Sequence, residues 1–576
     1  ANLDDPIPAL MSFQQRAGDR VPQARALAFE AVARRRGRVL DQVRDWRDKL
    51  RASPDAAVLK RFNEWESLLE CQASFTIALG YRDLKPAVAS GCSLSDTELE
   101  GRYERLLQDL RTKWTPELGR QALGALQILE QRREVLEAAL SRDSSQFQAA
   151  VSGVRFEDIR SRLDPDERCI EFALYQPGEE RSQAGHGQAG PRYGAFLLDR
   201  TRDLRWVDLG PAAPIDRAVR DLFESANDWS VALGRRENQS AASAEATAED
   251  TLRELSKTVL APLEPWLDQG TTARRLRIAP DGMLTLVPFG ALLDRRGKSI
   301  VERLAVSYVP AGRDLASPER QAIRSGPPVI ALSPGAGGRR PAASSLIASA
   351  FRADRLNRLE GAEAEARKLQ RIIPRARLLA EGEATEERVK QMHGPAVLHI
   401  VGHGVVRGNE DCQANPKSPG CAVTGLDPAS LVMSLSAIVL EEAYGRGGAS
   451  SQDGMLTALE LESVDLRGTE LLVLSQCQMA EGVPSSGEGV YGMRRAAAIA
   501  GARTFVAPLW KVADAPQEEL IERFYKELSA GASRAEALRQ AELELLKNPK
   551  TQGFLYWAPV ILSGDEGPLP KTLFAP

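Results

Sequence analysis

The chain has 576 residues, 43% hydrophobic and 27% charged, which is globular composition with length enough for two to four domains and large cores. Lysine and arginine total 75 against 79 aspartate and glutamate, so the net charge of -4 supplies no overall field to attract nucleic acid or an anionic membrane. There is no run of about 18 apolar residues and the opening ANLDDPIPAL lacks the basic and apolar regions of a secretory signal, so the chain reads as soluble and cytoplasmic.

The first residue is not Met, so the numbered chain reads as a piece of something longer. Residues 1–151 form an all-helical segment: from about residue 20 there is little Gly or Pro, and stretches such as ALAFEAVARRRGRVLDQVRDWRDKL have helical apolar spacing. The basic face around Arg34 to Arg38 reads as solvated helix surface. No fixed repeat period is evident, although short helices at similar spacing suit the end of a helical-repeat array.

After residue 152 the pattern changes. ERCIEFALY, RYGAFLLD and DLRWVDLG are short strand-like runs separated by Gly, Pro and charged turns. EERSQAGHGQAGPR reads as an exposed loop and SANDWSVALGRRENQSAASAEATAEDT as a long, mobile polar excursion. RLRIAPDGMLTLVPFGALLD, with Asp281-Gly282 at its turn, predicts a β-hairpin.

From residue 326 the apolar runs PVIALSP, AVLHIVG, ELLVLSQ, RTFVAPLW and APVILSG alternate with helical stretches, the pattern of a mostly parallel sheet with helices on both faces. Ser533 with Glu536, and Asp514 with Gln517, predict capped helix starts. Residues between about 405 and 465 read as an insertion flanking the strand ends.

The six cysteines, Cys71, Cys92, Cys169, Cys412, Cys421 and Cys477, are scattered without CxxC spacing, so neither a zinc module nor a disulfide framework is indicated and reduced thiols are expected. Cys412 and Cys421 bracket a Pro/Asn/Gly-rich loop and would bridge in an oxidising setting.

LLVLSQCQMAEG runs as a buried strand into Gln476 and Cys477. A lone cysteine at a core edge is ordinarily structural. Parallel sheets, however, present their sites outside the carboxyl ends of the strands, and Cys477 sits at such an end. In VLHIVGHGVV another apolar strand runs into Gly402-His403-Gly404, placing His403 at a similar end. Neighbouring strands lie about 4.8 Å apart, so the two side chains would meet across the sheet edge if their strands are adjacent. His403 would then take the thiol proton and return it to the leaving amine, while the Gly404 and Cys477 amides would hold the oxyanion.

Two other motifs are weaker. His399 and His403 have HxxxH spacing, but on a strand and without a third ligand, so no metal is expected and His399 reads as a buried, hydrogen-bonded histidine beneath the site. GEGVYG, residues 487 to 492, matches GxGxxG but begins about ten residues after its strand, which does not suit a dinucleotide fingerprint, so no cofactor is expected.

HIVGHG, LLVLSQCQMAEG, GEGVYGMRRAAAIAGARTFVAPLWKVAD, FYKEL, ALRQAELELL and YWAPVILSGDEG, in that order, resemble the CHAT domain family of caspase-like cysteine peptidases. IAPDGMLTLVPFGALL and VSYVPAGRDL resemble its upstream half, so the resemblance runs from about residue 152 to the C-terminus. It implies that His403 and Cys477 are the dyad, that residues 152–325 are a non-catalytic half and 326–576 the catalytic half, and that the helical segment is the end or remnant of a tetratricopeptide array. Two departures stand out. The family's Ser-Ala-Cys-x-Thr is here Ser475-Gln476-Cys477-Gln478-Met479, which puts substrate preference in doubt, and its Ser-Leu-Trp is Pro508-Leu509-Trp510.

The resemblance further implies a substrate pocket built partly by PLWKVAD. Asp514 would select a basic side chain or serve only as a helix cap. Glu488 is a similar candidate or a solvated loop carboxylate, Trp510 a pocket wall or core, and Gln476 a neighbour of the nucleophile. The expected enzyme is a regulated endopeptidase with one protein substrate or a few, a gasdermin-like effector being the kind cut by bacterial relatives in defence, and with a regulatory partner sensed through the helices. The rival from another class is a catalytically silent scaffold.

Overall fold

The computed structural model describes residues 22–35, 55–80, 94, 97–112, 115–142, 155–177, 190–269, 273–316, 325–335, 358–406, 436–444, 452, 454–475, 483–485 and 489–575. Its centre is one thirteen-stranded sheet shared by both halves of the α/β region.

In the second half β6 (Val329–Ser333), β8 (Val397–Val406), β11 (Leu471–Ser475) and β14 (Thr504–Pro508) are parallel neighbours, with β7 (Arg377–Leu379) on the outer side of β6. Every residue of β6, β11 and β14 is buried, which requires cover on both faces and explains their unbroken apolar sequences. β15 (Val560–Gly564) reverses direction beside β14 and joins β5 (Ala305–Tyr308) of the first half, followed by β4 (Arg275–Ala279) and β1 (Glu167–Tyr175). β2 (Arg192–Asp199) and β3 (Arg205–Pro211) complete that edge. The strands of β1, β4 and β5 therefore run opposite to β8 and β11, and the two halves direct their carboxyl ends to opposite edges of the sheet.

Among the described residues the helical segment contains α1 (Pro22–Arg35), α2 (Ala56–Gly80), α3 (Thr97–Thr112) and α4 (Pro116–Arg142). They are part of the packed body. Phe29 and Val32 of α1 lie in a core with Phe156, Cys169 and Phe196. α2 is apolar on two faces: Val58, Phe62, Trp65 and Leu69 join the main core, while Leu68, Cys71 and Phe75 pack with α3 and α4. Cys71 is disulfide-bonded, contrary to the expectation of reduced thiols; its partner lies outside the described residues, as do Cys92, Cys412 and Cys421. No described helix is long and apolar enough to cross a membrane.

Two sequence expectations are corrected. The polar excursion is a helical hairpin, α6 (Ala212–Arg235) and α7 (Asn238–Leu255), after the short α5 (Phe156–Arg162). Ile215, Val219, Leu222, Ala226 and Trp229 recur at helical spacing and are buried, a stripe that the surrounding polar residues obscure. The hairpin predicted around Asp281-Gly282 has no second strand: Gly282–Leu286 is a 3-10 turn. Gly282 has φ +54, and a Cβ there would meet the Tyr193 hydroxyl at 2.4 Å, so the chain bends where only glycine fits.

The remaining helices are α8 (Ala362–Ile372), α9 (Glu386–Lys390), α10 (Ala458–Leu461), α11 (Met493–Ala500), α12 (Asp514–Ser529), α13 (Arg534–Lys547) and α14 (Phe554–Trp557). Ser533 caps α13 as expected, accepting from the Glu536 amide at 3.3 Å. Glu536 turns instead to Arg539 and Gln540, so the reciprocal half of the capping box is missing. α12 departs from expectation: its cap position is Ala513, without a side-chain bond, and Asp514 is its first residue.

Candidate active site

β8 carries both histidines of VLHIVGHGVV. β11 lies along one edge, with Ser475 opposite Val401; β6 lies along the other edge of the same stretch, with Ser333 opposite Gly402. Beyond Gly402 the strand continues past these neighbours and pairs with β9 (Ser436–Val439), His403 opposite Val439 and Gly404 opposite Ile438. His403 is thus buried within β8, just past the stretch paired with β6 and β11 and three residues before the strand ends, whereas the sequence reading ended the strand at His403; β11 is a parallel neighbour of the strand.

His399 is fully buried on the same strand. Its Nδ1 is 3.1 Å from the Tyr525 hydroxyl of α12 and its Nε2 is 2.9 Å from Oε1 of Glu365 on α8. Burial, and after it the charge of Glu365, hold the Tyr525 phenol well above its ordinary range; in the tautomer with its proton on Nε2, Nδ1 accepts from the Tyr525 hydroxyl. The Nε2–H then donates to the carboxylate. The other oxygen of Glu365 accepts from the Ser475 hydroxyl at 3.1 Å, and Ser475 Oγ accepts from Gln517 Nε2 at 3.2 Å. His399 is therefore a hydrogen-bonded histidine beneath the strand end. Along a strand, four residues separate it from His403 by about 13 Å, too far to share one metal ion.

The sequence reading missed Glu365, Tyr525 and this role of Gln517. A signal was present: Glu365 stands among Ala362, Ala366 and Leu369 on the buried stripe of α8, and Gln517 and Tyr525 flank Ile521 at four-residue spacing on α12. A polar group on an apolar stripe demands a partner.

Asp514 is exposed at the start of α12. Partial desolvation raises its pKa; Lys511 opposes this, and Glu365, Glu360 and Glu518 reinforce it. With no capping bond made by its side chain, it belongs to an acidic cluster beside the helix start. Trp510 is core and forms no exposed wall: it is fully buried, its indole N–H donates to the Leu555 carbonyl at 3.2 Å, and Phe223 and Phe554 pack edge-on to it. Cys477, Gln476 and Glu488 lie outside the described residues. Within GEGVYG, Gly489–Tyr491 forms β13, antiparallel to β12 (Val483–Ser485) in a separate two-stranded sheet, and Gly492 is the N-cap residue of α11.

A family model described as CHAT domain matches residues 249–565. No curated protein matches the chain. The separase of a Saccharomyces cerevisiae separase–securin complex is similar at 10% identity, with 82% of this chain and 35% of that chain covered and a TM-score of 0.44. The Arg-specific cysteine proteinase gingipain R is similar at 9% identity, with 56% and 68% covered and a TM-score of 0.32. The chain thus spans about a third of the length of the first of these.

Proposed function

Because the chain belongs to the CHAT domain family, we propose that it is a cysteine endopeptidase in which Cys477 is the nucleophile and His403 the general acid and base. The observation that carries this reading is the register of β11 on β8. Ser475 stands opposite Val401, and two residues further along each chain come Cys477 and His403. Strands in such a pair are about 4.8 Å apart. If the chain after β11 continues beside β8 at that spacing, its thiol comes within reach of proton transfer to the imidazole of His403.

His403 takes the thiol proton, the thiolate adds to the scissile carbonyl, and the imidazolium protonates the leaving amine; water then hydrolyses the acyl-enzyme with His403 as base. The Gly404 and Cys477 amides stabilise the oxyanion. Asp514 gives the site its preference for a basic side chain, supported by the carboxylates around it, with Glu488 and Gln476 as further substrate contacts. The enzyme acts in the cytoplasm on one protein or a few, in a regulated bacterial defence or cell-death pathway, with an effector of the gasdermin kind as substrate and a regulatory protein engaging the helices. Docking of α2 on both the main core and the α3–α4 pair supports a regulatory role for the helices.

The test is intact-mass labelling with peptide electrophiles bearing basic, acidic and apolar P1 residues, on the parent, Cys477→Ala and His403→Ala. One adduct on the parent, strongest with a basic P1 and lost in both variants, is expected. A parent that takes no adduct, and whose thiol alkylates at the same rate and pH dependence as in His403→Ala, would make the domain a scaffold.

A further inference from the structure

Five side chains from four elements meet in the buried chain Tyr525, His399, Glu365, Ser475 and Gln517. All are less than 9% exposed. With Tyr525 donating, one assignment of protons satisfies every contact: Tyr525 to His399, His399 to Glu365, Ser475 to Glu365 and Gln517 to Ser475. Burying this much polarity is costly, and an apolar core of equal volume would be at least as stable. A fully satisfied network of this kind contributes geometric specificity.

The geometry of Glu365 says what is specified. Its two oxygens reach different strands: Oε1 holds His399 of β8 and Oε2 holds Ser475 of β11. His399 is four residues before His403, and Ser475 two before Cys477. Backbone pairing sets the register of the two strands but leaves the tilt and advance of their ends to side-chain packing. The carboxylate, anchored on α8, fixes one strand against the other; Tyr525 and Gln517 fix both against α12.

We infer that Glu365 is the positioning residue of the site, a carboxylate clamp that sets the end of β8 against the end of β11 and so holds His403 in reach of the thiol. This rests on the peptidase reading. Glu365 touches no reacting atom and acts through His399 and Ser475.

The experiment compares the full chain with Glu365→Ala, Glu365→Gln, Ser475→Ala and His403→Ala by three readouts: peptide kcat and KM, the pH profile of iodoacetamide alkylation of Cys477, and Tm. Misplacement of reacting groups by an ångström costs about 100-fold, so Glu365→Ala should lower kcat about 10- to 100-fold with KM nearly unchanged. Its alkylation profile should move towards that of His403→Ala. Glu365→Gln, which keeps one acceptor and gains a donor, should recover part of the rate. Unchanged kcat and alkylation profile in Glu365→Ala, whatever its Tm, would overturn the inference and leave the peptidase reading intact. If Glu365→Ala does not fold, Ser475→Ala decides: it removes one arm of the clamp at little change in volume, and unchanged kcat there is equally fatal. A parent whose alkylation profile does not depend on His403 would defeat the peptidase reading itself, and the clamp with it.

Discussion

The two halves of the sheet treat the polar groups at their strand ends in opposite ways. In the first half these groups turn back onto main chain. After β4, the Asp281 carboxylate accepts from the amides of Leu174 and Gly282 at 2.8 and 2.9 Å. At the end of β5, the Tyr308 hydroxyl donates to the Val287 carbonyl and accepts from the Phe289 amide. In the second half Glu365 links side chains of two strands, and His403 stands on β8 where the strand runs past β6 and β11. On the proposed reading the first half is a buttress, and it is fastened by ion pairs: Glu566, which follows β15, is buried against Arg275 and Arg277 of β4 at 2.8 and 3.3 Å and accepts from Ser307 of β5 at 2.7 Å.

The largest contrast is expected between His403→Ala and Asp281→Ala. Loss of a general acid and base costs about 100- to 10,000-fold in rate, so His403→Ala should abolish most peptide hydrolysis at temperatures where the variant stays folded. Asp281→Ala leaves two buried amides without that acceptor and should cost about 1–3 kcal/mol of stability with kcat retained below the transition. Equal loss of activity in both would end the distinction between the halves.

Next comes the seam. Glu566→Ala takes one buried carboxylate from Arg275, which keeps Asp164 and Asp166, and from Arg277, which keeps Glu167, and leaves the buried Ser307 hydroxyl without that acceptor, a loss of about 1–3 kcal/mol. Chemical denaturation should show that loss, while alkylation of Cys477 in the folded protein should keep its pH profile. If the profile moves as well, the buttress also shapes the site.

Tyr308→Phe sharpens the comparison at smaller scale. The hydroxyl is fully buried, and its removal should cost about 1–3 kcal/mol by the same measurement, again without effect on kcat.

The smallest effect concerns Glu542 of α13, which lines a cavity of about 10 Å³ between the halves together with Tyr308, Trp557 and Val560. Burial holds its carboxyl well above the ordinary 4.5, with Arg539 opposing. The native state therefore keeps the proton that the unfolded chain releases. The associated stability is complete below about pH 4.5 and is lost as pH rises towards the native value, by at most about 1.4 kcal/mol per pH unit. Glu542→Gln should gain stability relative to the parent between pH 5 and 8, read from Tm against pH. Parallel curves would show that Glu542 ionises in the folded protein as it does in the unfolded one.

Much of this was legible in the sequence, because it depends on local periodicity and on residue types with few roles. Unbroken apolar runs identified β6, β11, β14 and β15 and the start of β8, which the sequence reading ended three residues early at His403. Family motifs paired His403 with Cys477, which lies outside the described residues. What the sequence misjudged was local polarity outweighing a hidden stripe, as in α6, and a helix cap at Asp514 that the main chain does not use.

Tertiary structure alone decided which strands are neighbours, that the halves share one sheet running in opposite senses, and that Trp510 is core. It also brought together Glu365, His399, Ser475, Gln517 and Tyr525, which span 160 positions between Glu365 and Tyr525. Periodicity reports which face of an element is buried. Which polar groups on those faces satisfy one another depends on how α8, α12, β8 and β11 pack, and no single segment carries that information.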